Sequence, residues 1–182
     1  MTRLLLLPCL LVAVPLLAQA PRRGCSDSMI QFDRVGIVRN GMPLDSVRTL
    51  CRVVRDTTEE NEGEDQQVVY ALVGGDTLRI EVDRDTVWRL SVRRPGFATR
   101  DSIHVGTPVS RFIVGRHLTI GIGEGKVYVF DARHRGNSFG LSHEAYDRVP
   151  KLTAAGLARL PRTTVIDEIL VTGTSKPLPN TR

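Results

Sequence analysis

Aromatic residues make up only 5% of this 182-residue chain, and lysine is nearly absent: 22 of the 25 basic residues are arginine. The formal charge of +5 invites a nucleic-acid reading, but the scarcity of aromatics argues against it. The arginines are scattered, alternate with apolar positions as on the wet face of a sheet, and form no basic run interleaved with stacking side chains. Weak attraction to an anionic surface is compatible with them. A zinc site has no support, because the histidines (His104, His117, His134 and His143) show no HExxH, HxH or Cys-His spacing. There is no GxSxG elbow, and a Ser142-His143-Glu144 run does not make a triad, whose members come from separate segments. No cofactor motif is present. Gly121-Ile122-Gly123-Glu124-Gly125 resembles half a phosphate loop, but Lys126 to Phe130 follows as a strand, where a dinucleotide loop needs a helix N-terminus. A hairpin turn explains these glycines.

The one long apolar run lies at the start. Met1-Thr2-Arg3 precedes 15 residues from Leu4 to Ala18, broken by Pro8 and Pro15. A membrane span needs about 20 residues. A short basic start, an apolar run and the small-x-small pattern Ala18-Gln19-Ala20 are the marks of a secretory signal. Cleavage after Ala20 leaves Pro21 as the new first residue, and cleavage after Ala18 places bulkier Leu16 at the outer small position. Both sites stay open. The mature chain is expected to be periplasmic or secreted, with no transmembrane span. About 160 residues remain, enough for one domain with a real core or for two small repeats sharing one.

Two of the three cysteines, Cys25 and Cys51, lie beyond the leader. An oxidising compartment favours pairing them. The bond would contribute about 3 kcal/mol in the chain-entropy model. The alternative is a reactive thiol, for which no CxxC or activating neighbour is visible.

The pattern beyond the leader predicts an α+β fold of antiparallel β-meanders with short helices. Residues 21–33 read as a tether, 34–173 as the domain and 174–182 as a loose tail. Pro43 opens a helix whose Leu44, Val47, Leu50 and Cys51 share one face. The acids Asp56, Glu59, Glu60, Glu62, Glu64 and Asp65 lack the order of a calcium-binding loop and read as a solvated loop. Strands follow at 67–73, 76–82 and 86–92, separated by Gly74-Gly75 and by Asp83-Arg84-Asp85, with Leu78, Ile80, Val82, Trp88, Leu90 and Val92 directed inward. Asp83 and Asp85 are turn acids; their presence alone supports no paired-carboxylate chemistry. Gly106-Thr107-Pro108-Val109-Ser110 then echoes Gly41-Met42-Pro43-Leu44-Asp45, and strands follow at 117–122, 126–130 and 137–141. The echo raises two tandem helix-plus-meander repeats, at 34–94 and 102–172, beside a single undivided unit. A short helix at 152–160, stopped by Pro161, and a last strand at 164–171 complete the reading. Residues 166–174 also resemble the coupling box of TonB-dependent receptors; a terminal strand accounts for them better.

Two stretches carry a family resemblance. Arg94 to Thr107, with its Pro95, Thr99, Asp101, Ile103, Val105 and Gly106, resembles a strand-to-helix loop of small uncharacterised envelope proteins of Gram-negative bacteria, and Lys126 to Leu141 resembles its continuation. The helix-then-meander unit is similar to the BamE and β-lactamase-inhibitor-protein group of folds, which are non-enzymatic binders. The resemblance supplies no catalytic residues; export, the expected disulfide and the lack of a catalytic constellation lead to a protein partner in the cell envelope, and the composition to no nucleic acid. A small periplasmic hydrolase and an inhibitor of a secreted enzyme are the competing expectations.

Overall fold

The computed structural model describes residues 25–173, apart from 62, 124, 143–144 and 146–152. The leader with both cleavage sites, His143, Glu144 and the 174–182 tail lie outside the described residues. The chain runs β1 (Met29–Ile30), β2 (Arg34–Val35), β3 (Val38–Arg39), α1 (Leu44–Leu50), β4 (Arg52–Asn61), β5 (Glu64–Val73), β6 (Asp76–Asp83), β7 (Thr86–Val92), β8 (Ala98–Thr99), α2 (Val109–Phe112), β9 (Leu118–Gly123), β10 (Lys126–Asp131), β11 (Asn137–Leu141), α3 (Ala154–Ala158) and β12 (Ile166–Val171). The fold is α+β. An eight-stranded antiparallel sheet has the order β4-β5-β6-β7-β12-β11-β10-β9, and a small mixed sheet has the order β3-β2-β1-β8.

Alternation along the strands builds the core. Leu78, Ile80 and Val82 of β6, Leu90 and Val92 of β7, Val127 and Val129 of β10, and Ile169 and Val171 of β12 join one apolar cluster. The cluster takes Leu44 and Val47 from α1, Val109 and Phe112 from α2, Leu157 from α3, and Ile30, Val35 and Val38 from the small sheet. Phe112 and Phe139 meet at its centre with ring centroids 4.7 Å apart. Helices and small sheet therefore cover one face of the large sheet.

The echo between Gly41-Met42-Pro43 and Gly106-Thr107-Pro108 is matched bond for bond. Gly41 N–H donates to Val87 O (2.7 Å), Val87 N–H to Met42 O (2.9 Å) and Leu44 N–H to Asp85 O (2.9 Å). In the second half Gly106 N–H donates to Ile166 O (2.7 Å), Ile166 N–H to Thr107 O (3.0 Å) and Val109 N–H to Thr164 O (2.9 Å). Gly41 and Gly106 both have positive φ (78° and 94°), a conformation that glycine adopts without steric cost. Each proline pairs with the residue that precedes or opens the last strand of its own meander: Pro43 with Thr86, and Pro108 with Val165. The seam between the halves is symmetric too. Ser91 of β7 faces Leu170 of β12, flanked by Leu90–Val171 and Val92–Ile169. A pseudo-two-fold axis thus passes through the Ser91–Leu170 pair, and two helix-plus-meander units join last strand to last strand.

Three expectations change. Trp88 does not point inward: a bulge between Glu81 and Val82 shifts the register, so Val87 is buried and Trp88 is 40% exposed. A bulge adds one residue and reverses the alternation beyond it. The equivalent bulge in the second half leaves Asp167 without a cross-strand partner on β11. The acidic run from Asp56 to Asp65 is a hairpin, because β4 and β5 pair from Arg52–Leu72 out to Asn61–Glu64. Finally, residues 25–33 are tied to the sheets: β1 pairs with β2 and β8, Ile30 and Cys25 are buried, and the Cys25 carbonyl accepts a hydrogen bond from Gly74 N–H (2.9 Å).

Cys25 and Cys51 form a disulfide with Cα atoms 5.3 Å apart, at a sequence separation of 26. It ties the start of the described chain to the end of α1. Replacing both cysteines by serine is expected to lower the unfolding free energy by about 3 kcal/mol. Urea denaturation checks this; an unchanged midpoint would show that the tether contributes nothing.

Candidate functional site

The face of the large sheet turned away from the core carries a row of charge. Alternation sends Arg79 and Glu81 of β6, Arg89 and Ser91 of β7, Glu168 of β12 and Tyr128 of β10 to this side, and all six are buried. Buried charge is tolerated only when it is paired and hydrogen-bonded, and the row meets that condition. Glu81 accepts from Arg79 Nη1 and from Arg89 Nε (2.7 Å). Arg79 Nη2 reaches on to Glu59 Oε2 (3.1 Å), whose other oxygen accepts from Tyr70 Oη (2.7 Å). Across the seam, Glu168 Oε1 accepts from Ser91 Oγ and Arg93 Nε, both at 2.6 Å, and Oε2 accepts from Tyr128 Oη at 3.2 Å. Lys126 Nζ lies 3.5 Å from Glu168 Oε2 and 3.1 Å from Asp167. Burial pushes the Glu168 carboxyl up, but Ser91, Arg93 and Lys126 outweigh it and hold the group below its ordinary range. The equivalent bulges put Arg89 and Glu168 at matching positions of the two units, so the backbone symmetry is broken by opposite charges.

A second cluster lies at the β10 end. Asp131 caps a 3₁₀ turn over Ala132–His134 by accepting from Arg133 N–H (3.1 Å). Arg116 bridges buried Asp131 and half-exposed Asp101, donating to Asp101 Oδ2 at 2.6 Å, while its guanidinium stacks 5.0 Å from the Phe112 ring centroid. His134 Nε2 sits 3.1 Å from Asp101 Oδ1, and its ring meets Phe139 edge-on at 5.5 Å. Burial raises the Asp101 pKa, yet hydrogen bonds from Thr99, Arg116 and His134 hold it far below the usual carboxylate range. Beside this cluster opens a cleft of about 770 Å³ whose lining includes Met29, Phe32, Arg100, Arg133, His134 and Arg135.

Among the described residues β4 and β9 are the outermost strands of the sheet, and they differ. β4 carries Arg52, Arg55, Asp56, Glu59 and Glu60, and its register slips between Val53 and Arg55. β9 (Leu118–Gly123) carries no charged residue and pairs with β10 without a slip, with Ile122 40% exposed.

Of the residues singled out in the sequence, Cys25 and Cys51 are brought together, and His134 meets two carboxylates. His104 Nδ1 lies 2.8 Å from the Val105 carbonyl, and His117 sits just before β9. Asp83 and Asp85 flank the β6–β7 turn, where Arg84 and Asp85 both have positive φ. Among the described residues no three of His, Cys, Asp or Glu gather as metal ligands, and no helix is long and apolar enough to cross a membrane. Sequence reading missed the Arg79–Glu81–Arg89 and Ser91–Glu168 pairings. Their signal was the charged residues placed regularly on strands that are otherwise apolar.

No protein-family model matches the chain, and no curated protein sequence matches it. Among solved structures it is similar to the uncharacterized protein YfeY from Escherichia coli, with a TM-score of 0.56 and 18% identity over 79% of this chain and 99% of that one. The two share a fold, and the family resemblance to small uncharacterised bacterial proteins agrees with it.

The depressed Glu168 and Asp101 carboxyls set a pH dependence. A carboxyl held below its ordinary value stabilises the fold fully above that value and loses the contribution as pH falls through the folded value. Stability should therefore decline below the ordinary glutamate value of 4.5. Glu168→Gln is expected to cost about 1–3 kcal/mol at neutral pH and to flatten the acid limb. Thermal melts across pH test both; an acid limb as steep as wild type would contradict the assignment.

Proposed function

We propose that the chain is an exported, non-catalytic binding module of the bacterial envelope that takes a protein partner along the free edge of β9. The observation that carries this reading is the contrast between the two edges. A sheet edge presents unpaired N–H and C=O groups, and proteins ordinarily blunt it with charges and bulges. β4 has both devices and β9 has neither. An extended partner segment added beside β9 gains main-chain hydrogen bonds, while side chains on alternate positions select it. Thr119 and Ile122 are the exposed side chains of that strand.

The leader pattern, with cleavage after Ala18 or Ala20, supports an extracytoplasmic address, as does the Cys25–Cys51 bond. The engaged state of Glu81, Glu168 and Asp131 supports positional roles for these carboxylates rather than proton transfer. The helix-then-meander unit keeps its resemblance to the BamE and inhibitor-protein binders within this reading, and an inhibitor of a secreted enzyme would be one form of the same partnership.

Thr119→Lys with Ile122→Lys places two charges on the edge at exposed positions and should leave the fold intact by circular dichroism. Wild type is expected to capture a partner from envelope extracts and the double variant to lose it. Equal capture by both proteins, or none by wild type across a range of ionic strengths, would overturn the edge reading.

A further inference from the structure

The 770 Å³ cleft beside the His134 cluster has a composition that the strand-edge reading does not use. Single exposed arginines are ordinary on a basic protein. Here Arg100, Arg133 and Arg135, all exposed, line one concavity that has no carboxylate in its lining. None of the three forms an ion pair among the described residues. The nearby acids do not neutralise this rim, because Asp101 and Asp131 are engaged by Arg116 and His134. Two of the large apolar side chains exposed on the described surface, Met29 (42%) and Phe32 (48%), lie in the same lining.

The walls are held in place. Gly136, at φ 79°, brings the turn so close to Phe32 that a Cβ there would lie 2.3 Å from the Phe32 carbonyl oxygen. The Asp131 cap orders the preceding turn, and the Arg133 guanidinium donates to the Gly115 carbonyl. The cleft is thus a built concavity whose lining joins three arginines to exposed Met29 and Phe32.

We propose that this cleft binds the phosphate headgroup of an anionic phospholipid, with Met29 and Phe32 against the apolar part of the lipid. The guanidinium fork matches phosphate oxygens in two-point geometry. The space exceeds what a bare phosphate ion fills, and exposed Met29 and Phe32 give an acyl or glycerol portion a surface that an acidic peptide or free anion would not use. The proposal is independent of the β9 edge, so either can fail alone.

The test is co-sedimentation of the full mature chain with phosphatidylcholine vesicles, with and without phosphatidylglycerol. Binding is expected only with phosphatidylglycerol and should weaken with added salt. Arg100→Glu with Arg135→Glu should reduce it by about 30-fold or more, each basic side chain near such a surface counting for roughly fivefold. Arg111→Glu with Arg162→Glu changes net charge equally outside the cleft and should leave most binding intact. Phe32→Ser should weaken binding without altering its salt dependence. Thr119→Lys with Ile122→Lys should bind vesicles as wild type does. Equal losses in the two arginine pairs would mean diffuse charge attraction and would overturn the proposal. So would binding to inorganic phosphate or to polyglutamate as tight as to the vesicles.

Discussion

The pairing of β7 with β12 around Ser91 and Leu170 is the contact on which the rest of the molecule depends. Each helix-plus-meander unit has one apolar face, and a four-stranded sheet with a one- or two-turn helix buries that face poorly by itself. Joining the last strands makes one sheet of eight and one core, into which both short helices pack. The seam also brings Ser91 Oγ to Glu168 and so links the charge row of one unit to that of the other.

This row gives the sheet an unusual second face. Aliphatic side chains would bury the same area without desolvating ions, and replacing buried pairs by apolar residues is commonly neutral or stabilising. What the ions add is register. Glu81 is satisfied only when Arg79 and Arg89 both reach it, and Glu168 only when β7 and β10 stand in their present alignment. A one-residue slip of β7 or β12 would strand a buried carboxylate. The opposite charges of Arg89 and Glu168 at matching positions also discourage exchange of equivalent strands between the halves.

Much of the large sheet was legible in the sequence. Clean alternation marked β6, and the Gly-x-Pro echo marked two turns with matching hydrogen bonds, because a left-handed glycine and a helix-opening proline have a specific geometric task. Trp88 was misplaced because a bulge leaves no mark in hydrophobic pattern: it reverses alternation without changing composition. The Asp56–Asp65 acids read as a loop because β-propensity says little about an exposed hairpin arm, here one whose Glu59 is matched by Tyr70 and Arg79 and whose Asp56 is matched by Arg48. The arginines of β6 and β7 were correctly placed away from the core but not recognised as buried. The cleft was invisible for a topological reason, since its walls come from residues 29–32, 100, 132–135 and 137, which only the fold assembles.

The seam makes one strong physical demand, that the two units cannot open separately. Native-state hydrogen exchange of the β7 and β12 amides tests it directly. The account predicts that amides of Leu90, Val92, Ile169 and Val171 exchange only through global unfolding, with one common free energy shared by the centres of both meanders. A second meander whose amides exchange at markedly lower free energy than the first would contradict it.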